Sequence, residues 1–190
     1  QGATVNATTI YKNLGHAFFV EDGSETGNTF VGNLGALTLR AMSLLESDQT
    51  PSTFWITNPD NVFIDNVAAG GDGFGFWINL PPHPGGFLNF KGATFRTTIF
   101  PRHALQGAFR GNVAHGYLTG VLAHDLDPKV FDLSQTKWVR DDVSRIVTRE
   151  VDEEPGMRRS ARFDDLITYA NRDSGAILDK MGHLIIDGFI

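Results

Sequence analysis

Three hexads share one pattern: Asn28-Thr29-Phe30-Val31-Gly32-Asn33, Asn61-Val62-Phe63-Ile64-Asp65-Asn66 and, with Gly in the first place, Gly107-Ala108-Phe109-Arg110-Gly111-Asn112. Asp165-Leu166-Ile167-Thr168-Tyr169-Ala170-Asn171 is a weaker fourth copy. After each closing Asn comes an apolar run: Leu37-Thr38-Leu39, Phe74 to Ile78, Leu118 to Leu122, and Ala176-Ile177-Leu178. Strand, Asn corner and strand, recurring, predict a solenoid, because one such unit cannot bury its apolar face alone and a stack of them can. The closing residues Asn33, Asn66, Asn112 and Asn171 are 33, 46 and 59 residues apart. That irregularity points to an all-β, right-handed parallel β-helix, whose corners release loops without disturbing the stacked coils. An Asn repeated at one corner can bond its stacked neighbours and accept left-handed backbone. The competing reading is an antiparallel sandwich with Asn-rich turns.

Within this frame, Thr9-Ile10-Tyr11, Ala17 to Val20, Thr53 to Ile56, Phe74 to Ile78 and Leu184-Ile185-Ile186 read as strands. Phe30, Val31, Leu37 and Leu39 are the expected inward residues of the first full unit. Asp22-Gly23, Asn58-Pro59 and the small-residue stretch Ala68 to Gly73 read as corners. Pro81 to Gly86 reads as an excursion loop, and residues 87 to 101 as a return to strand. Half of the acidic residues and half of the basic ones lie between His124 and Asp165, marking 124–165 as a charged insertion within a single unit spanning 1–190. Val139 to Val151 reads as a short helix inside it, with Asp141 and Asp142 near its start.

Fifteen Phe and twenty-one Gly suit many tight corners around a large apolar interior. A net charge of -6 excludes a nucleic-acid backbone or anionic membrane as the main partner. With no Cys there is no disulfide framework, thiolate metal site or Cys nucleophile. No apolar run is long enough to span a bilayer, so the segment is not expected to insert directly into a membrane. Asn6-Ala7-Thr8 is an N-glycosylation sequon. Neither end carries a capping sequence, so continuation of the chain beyond Gln1 and Ile190, or packing against another chain, is expected.

His16, Glu21 and Asp22 fall close together at a strand and its turn, where they could act as general acid and base or supply oxygens to calcium. Packing of His16 in the wall and corner hydrogen bonds at Glu21 and Asp22 are the alternative. Asp65 and Asp72 flank the second Asn corner, and with Asp22 they could line one face, as polysaccharide cleavage requires. Asp72 is equally suited to a simple turn. Trp55, Trp77 and Phe76 are candidates for sugar stacking wherever they point outward, because a flat apolar ring matches a pyranose face. His115 joins them as a carbohydrate-binding candidate. His83, His103, His115 and His124 are too scattered for a metal signature, and no His-x-x-x-His pair occurs. Gly70 to Gly75 looks like a nucleotide loop, but no helical pattern follows to aim a dipole at phosphate.

Four stretches, Gly15 to Gly23, Ser52 to Asn61, Ala68-Ala69-Gly70 with Gly75-Phe76-Trp77, and Asn112-Val113-Ala114-His115, resemble the β-helix region shared by fibrocystin-L, the cell-migration-inducing hyaluronan-binding protein and the cell-surface hyaluronidase. The resemblance runs over about residues 10 to 190. It implies a large extracellular or membrane-anchored protein with β-helical repeats and additional domains. Some members are associated with calcium-dependent hyaluronan depolymerisation, and others look like receptors or surface scaffolds. Two expectations follow, a carbohydrate-binding or scaffolding segment and a calcium-dependent polysaccharide depolymerase, and the uncapped ends add a third, a subunit of an extracellular filament or multi-chain complex. Polysaccharide or other extracellular protein chains are the partners the resemblance implies.

Overall fold

The computed structural model describes residues 2–42, 49–81, 83–85, 99–125, 129–132, 137–140, 161–179 and 184–190. Coil one contains β1 (Thr4–Asn6), β2 (Thr9–Tyr11) and β3 (Phe18–Val20). Coil two contains β4 (Thr29–Val31), β5 (Leu34–Thr38) and β6 (Ser52–Ile56), and coil three β7 (Val62–Ile64), β8 (Val67–Gly71) and β9 (Phe74–Leu80). Coil four contains β10 (Phe109–Arg110), β11 (Val113–His115) and β12 (Thr119–Asp125). The antiparallel pair β13 (Lys129–Asp132) and β14 (Lys137–Arg140) precedes coil five, made of β15 (Ala161–Asp164), β16 (Ile167–Tyr169) and β17 (Ser174–Asp179), and β18 (Leu184–Asp187) follows.

Each strand pairs in parallel with its counterpart one coil away. The result is a six-stranded first sheet, β1-β4-β7-β10-β15-β18, and two five-stranded sheets, β2-β5-β8-β11-β16 and β3-β6-β9-β12-β17. This is a parallel β-helix, and the parallel pairing rules out the sandwich. The helix expected over Val139 to Val151 begins on residues that instead end β14, and its remainder lies outside the described residues, as do residues 87–98 of the expected return strand. Pro101–His103 forms a 3-10 turn, since proline there presets φ and lacks the donor a ladder needs.

Phenylalanine builds the interior. In the first sheet Phe30, Phe63, Phe109 and Phe163 stand one above another, and in the third Phe18, Phe54 and Phe76 do the same at 4.6 Å between ring centroids. The two files meet edge to face: Phe18 on Phe30, Phe54 on Phe63 and Phe76 on Phe109, at 82°, 88° and 78°. Stacking along Phe18, Phe54 and Phe76 and at Phe30 on Phe63, and edge contacts across the core and at Phe109 on Phe163, all suit the ring quadrupole. The second sheet contributes small inward residues, Gly35, Ala68 and Ala114, which leave room for those rings.

Two corners are set by columns of left-handed residues. Ala7, Gly32, Asp65, Gly111, Asp165 and Gly188 hold φ between 49° and 67° where the first sheet turns into the second. Lys12, Leu37, Gly70, Gly116 and Ala170 hold φ between 51° and 80° where the second turns toward the third. Leu37, expected inward, is therefore turned outward, and Thr38 takes the buried place. Directly after the first column comes the Asn ladder. The side chain and backbone N–H groups of Asn33 both donate to Asn66 Oδ1, and those of Asn66 both donate to Asn112 Oδ1. Each Asn also donates to a carbonyl of the preceding coil: Val5, Phe30 and Phe63. All three are buried and bonded, as interior amides must be. Asn171 is not the fourth rung. The next coil puts Leu166 there, fully buried, while Asn171 sits at the second corner and accepts a hydrogen bond from Tyr117 N–H.

Candidate functional site

The outer side of the third sheet carries an aromatic file. Phe18 and Val20 point inward, so Phe19 between them points out, and register places Trp55, Trp77, Leu122 and Ile177 in the same column on successive coils. Trp55 and Trp77 meet edge to face at 4.7 Å, and Phe74 lies 4.8 Å from Trp77. Phe19 is 43 % exposed, whereas Trp55 is only 8 % exposed beneath its neighbours. The indole N–H of Trp55 is buried without a hydrogen-bond acceptor. Phe76, a sequence candidate for stacking, belongs to the core instead: its side chain is fully buried against Phe54 and Phe109.

His16 joins this file. Its ring stacks on Phe19 at 5.2 Å and 15° and lies 4.6 Å from Trp55. Its Nδ1 accepts from the backbone N–H of Ser52, and Ser52 Oγ lies 3.0 Å from the same nitrogen. With Nδ1 occupied as an acceptor, the neutral ring carries its proton on Nε2. The sequence places His16 beside Glu21 and Asp22; the fold separates them, fixing the ring into the wall while the two acids go to the corner after β3.

At that corner Glu21 is exposed and Asp22 is buried. The turn is capped by a residue absent from the sequence candidates: Glu25, whose carboxylate accepts from the N–H groups of Asp22 and Gly23. Its signal is local, a carboxylate three residues after Asp22 across a glycine turn. Asn58 Nδ2 donates to Gly23 O, and Asn61 Nδ2 donates to Glu25 O and Asn58 O, so the second coil holds the first coil's turn in place. Asp72 lies at the opposite end of the third sheet, where Oδ2 accepts from the backbone N–H of Arg40. Val20 pairs in register with Ile56 and through it with Ile78, so Asp22 aligns with the far end of β9 and Asp72 precedes its start. Seven strand residues extend roughly 20 Å, whereas paired glycosidase carboxylates stand about 5 to 9.5 Å apart. The fold does not bring Asp22 and Asp72 together, and it puts Asp65 at a third place, the corner before the second sheet.

His115 is on the outer side of the second sheet, its ring stacked on Tyr169 at 4.6 Å and 12°. It is not part of the Trp55–Trp77 file. Among the described residues, no three or more His, Asp or Glu side chains gather as a metal site. Asn6 is exposed at the end of β1. No described helix is long and apolar enough to cross a membrane.

Comparison with known proteins agrees with this architecture. Mouse fibrocystin-L is 40% identical over 58% of the chain. The human cell migration-inducing and hyaluronan-binding protein is 30% identical over 93% of it, and human cell surface hyaluronidase CEMIP2 is 29% identical over 92%. The chain spans 2% of the length of fibrocystin-L and 14 to 15% of the other two. The CEMIP beta-helix family matches residues 1–121, which take in the first three coils, the whole Asn ladder and the aromatic file from Phe19 to Trp77. By that match, this chain belongs to the CEMIP β-helix family.

Proposed function

We propose that this chain is a β-helical wall segment of a large extracellular surface protein, and that it holds polysaccharide against the outer aromatic file of its third sheet. The observation that carries this reading is the outward column in which exposed Phe19 and half-buried Trp77 stand on either side of the buried Trp55. Flat rings match the apolar faces of pyranose units. Consecutive coils are about 4.8 Å apart, so rings on adjacent coils form a continuous strip and not isolated contacts. Relatives whose names include hyaluronan binding and hyaluronidase support a saccharide ligand. Separation of Asp22 from Asp72 favours holding over cutting.

Titrating the protein with hyaluronan and with a neutral glucan, read by tryptophan fluorescence and calorimetry, tests the reading. Saturable quenching is expected with at least one polymer, weakened by about tenfold in Trp77→Ala, the loss of roughly one stacking contact. The length distribution of the polymer is expected to remain unchanged. No binding to either polymer, or undiminished binding by a folded Trp77→Ala variant, would overturn the proposal. Shortening of the polymer would favour a depolymerase.

A further inference from the structure

Among the described residues, the five fully buried asparagines are bonded: Asn33, Asn66 and Asn112 in the ladder, Asn58 and Asn61 in the corner after the third sheet. Asn6 is the contrast. It is exposed, it ends β1, and its neighbour Val5 packs against the core, so its side chain projects outward from the first sheet. Among the described residues its carboxamide has no hydrogen-bond partner; only its backbone carbonyl accepts one. Ala7 turns the chain with φ 49°, and Thr8 Oγ donates to Asn6 O at 3.3 Å. Register continues the Asn6 column through Val31 and Ile64, both half-buried, before it becomes charged at Arg110 and Asp164.

We infer that Asn6 is an N-glycosylation site whose first sugars lie over the uncharged half of the first sheet's outer face. This rests on the extracellular reading above, because the modification needs the secretory pathway. Nδ2 attacks the anomeric carbon of an oligosaccharide carried on a lipid pyrophosphate. The C1–Nδ2 bond forms, the C1–O bond to pyrophosphate breaks with its electron pair leaving on oxygen, and Nδ2 loses one proton. The sequon supplies the acceptor, and the fold leaves it unburied and unbonded, as the ladder asparagines are not. Val31 and Ile64, next in the Asn6 column, then gain a sugar cover.

The test expresses the protein in a eukaryotic host, within its full parent chain. Glycosidase release in heavy-oxygen water, followed by peptide mass analysis, is expected to convert Asn6 to labelled Asp. Asn6→Gln and Thr8→Ala should abolish the label, and Thr8→Ser should retain it while keeping the fold. Secreted or surface-displayed protein with Asn6 unmodified overturns the glycosylation site alone. Protein retained in the cytosol, wild type and variants alike, overturns the extracellular reading and the site with it.

Discussion

Tyr117 shows how one residue can tie three coils together. Its fully buried hydroxyl bonds Thr53 Oγ1, which is 2.7 Å from Thr38 Oγ1, and its backbone N–H donates to Asn171. Gly71 makes room for the ring, since a Cβ there would come within 2.6 Å of Tyr117 Cε1. Burial pushes the phenol up to about 12, against a smaller lowering by the hydrogen bonds to Thr53 and Thr38. A raised folded-state value means the neutral phenol stabilises the fold fully below about pH 10, and that contribution fades as pH climbs toward 12. The unfolding free energy from urea melts taken across that range should therefore fall by an amount on the order of 2 kcal/mol in the wild type. Tyr117→Phe should be less stable at neutral pH but show a flatter alkaline limb; an equally steep limb would mean another group titrates. The left-handed corners follow similar residue-scale logic. Asp65 carries its carboxylate over Gly111, and Asp165 over Gly188, so that acids alternate with glycines and like charges are kept two coils apart.

At the scale of the strand, adjacent residues have opposite fates. Phe18 is buried against Phe54 and Phe30, while Phe19 stands on the outer wall beside His16 and Trp55. Phe54 touches Phe18, Phe76 and Phe63 at once, so Phe54→Ala opens a cavity between both files. Its expected cost is about 3 to 5 kcal/mol, against about 1 kcal/mol or less for Phe19→Ala, measurable as shifts in the denaturation midpoint. Comparable losses at the two positions would show that the inward and outward assignment of β3 is wrong.

For the whole molecule, stability resides in neighbour-to-neighbour stacking. Central coils have partners on both sides, and the outermost coils of this chain have one. Amide hydrogen exchange of the 190-residue chain is expected to be slowest in β6, β8 and β9, intermediate in β12, and fastest in β1, β2 and β18. Uniform protection would mean that the chain opens only as a single unit. Loop placement is also a property of the stack: Glu21 to Asn28 and Thr57 to Asn61 both leave between the third and first sheets. Asp22, Glu25, Asn58 and Asn61 gather there because that corner must be tied down by side chains where strand pairing is interrupted.

The parallel β-helix, the rungs Asn33, Asn66 and Asn112, and the candidate rings Trp55 and Trp77 were all legible in the residues, because ladders of identical side chains require a repeat that survives in one dimension. Other features were decided only when the coils stacked. Leu166 stands where an Asn was expected because register counts coils from the left-handed corner at Asp165, not from the nearest Asn. Leu37 faces out and Thr38 in, because a positive φ reverses the alternation that a flat strand would keep. The grouping of His16 with Glu21 and Asp22 dissolved for a related reason: the seven residues from His16 to Asp22 cross from the wall of one sheet to a corner beyond it. Proximity along a strand is not proximity in a site. What lies side by side in this fold is separated by a whole coil of chain, and only the tertiary structure could place Trp55 against Trp77 and leave Asn6 alone at the surface.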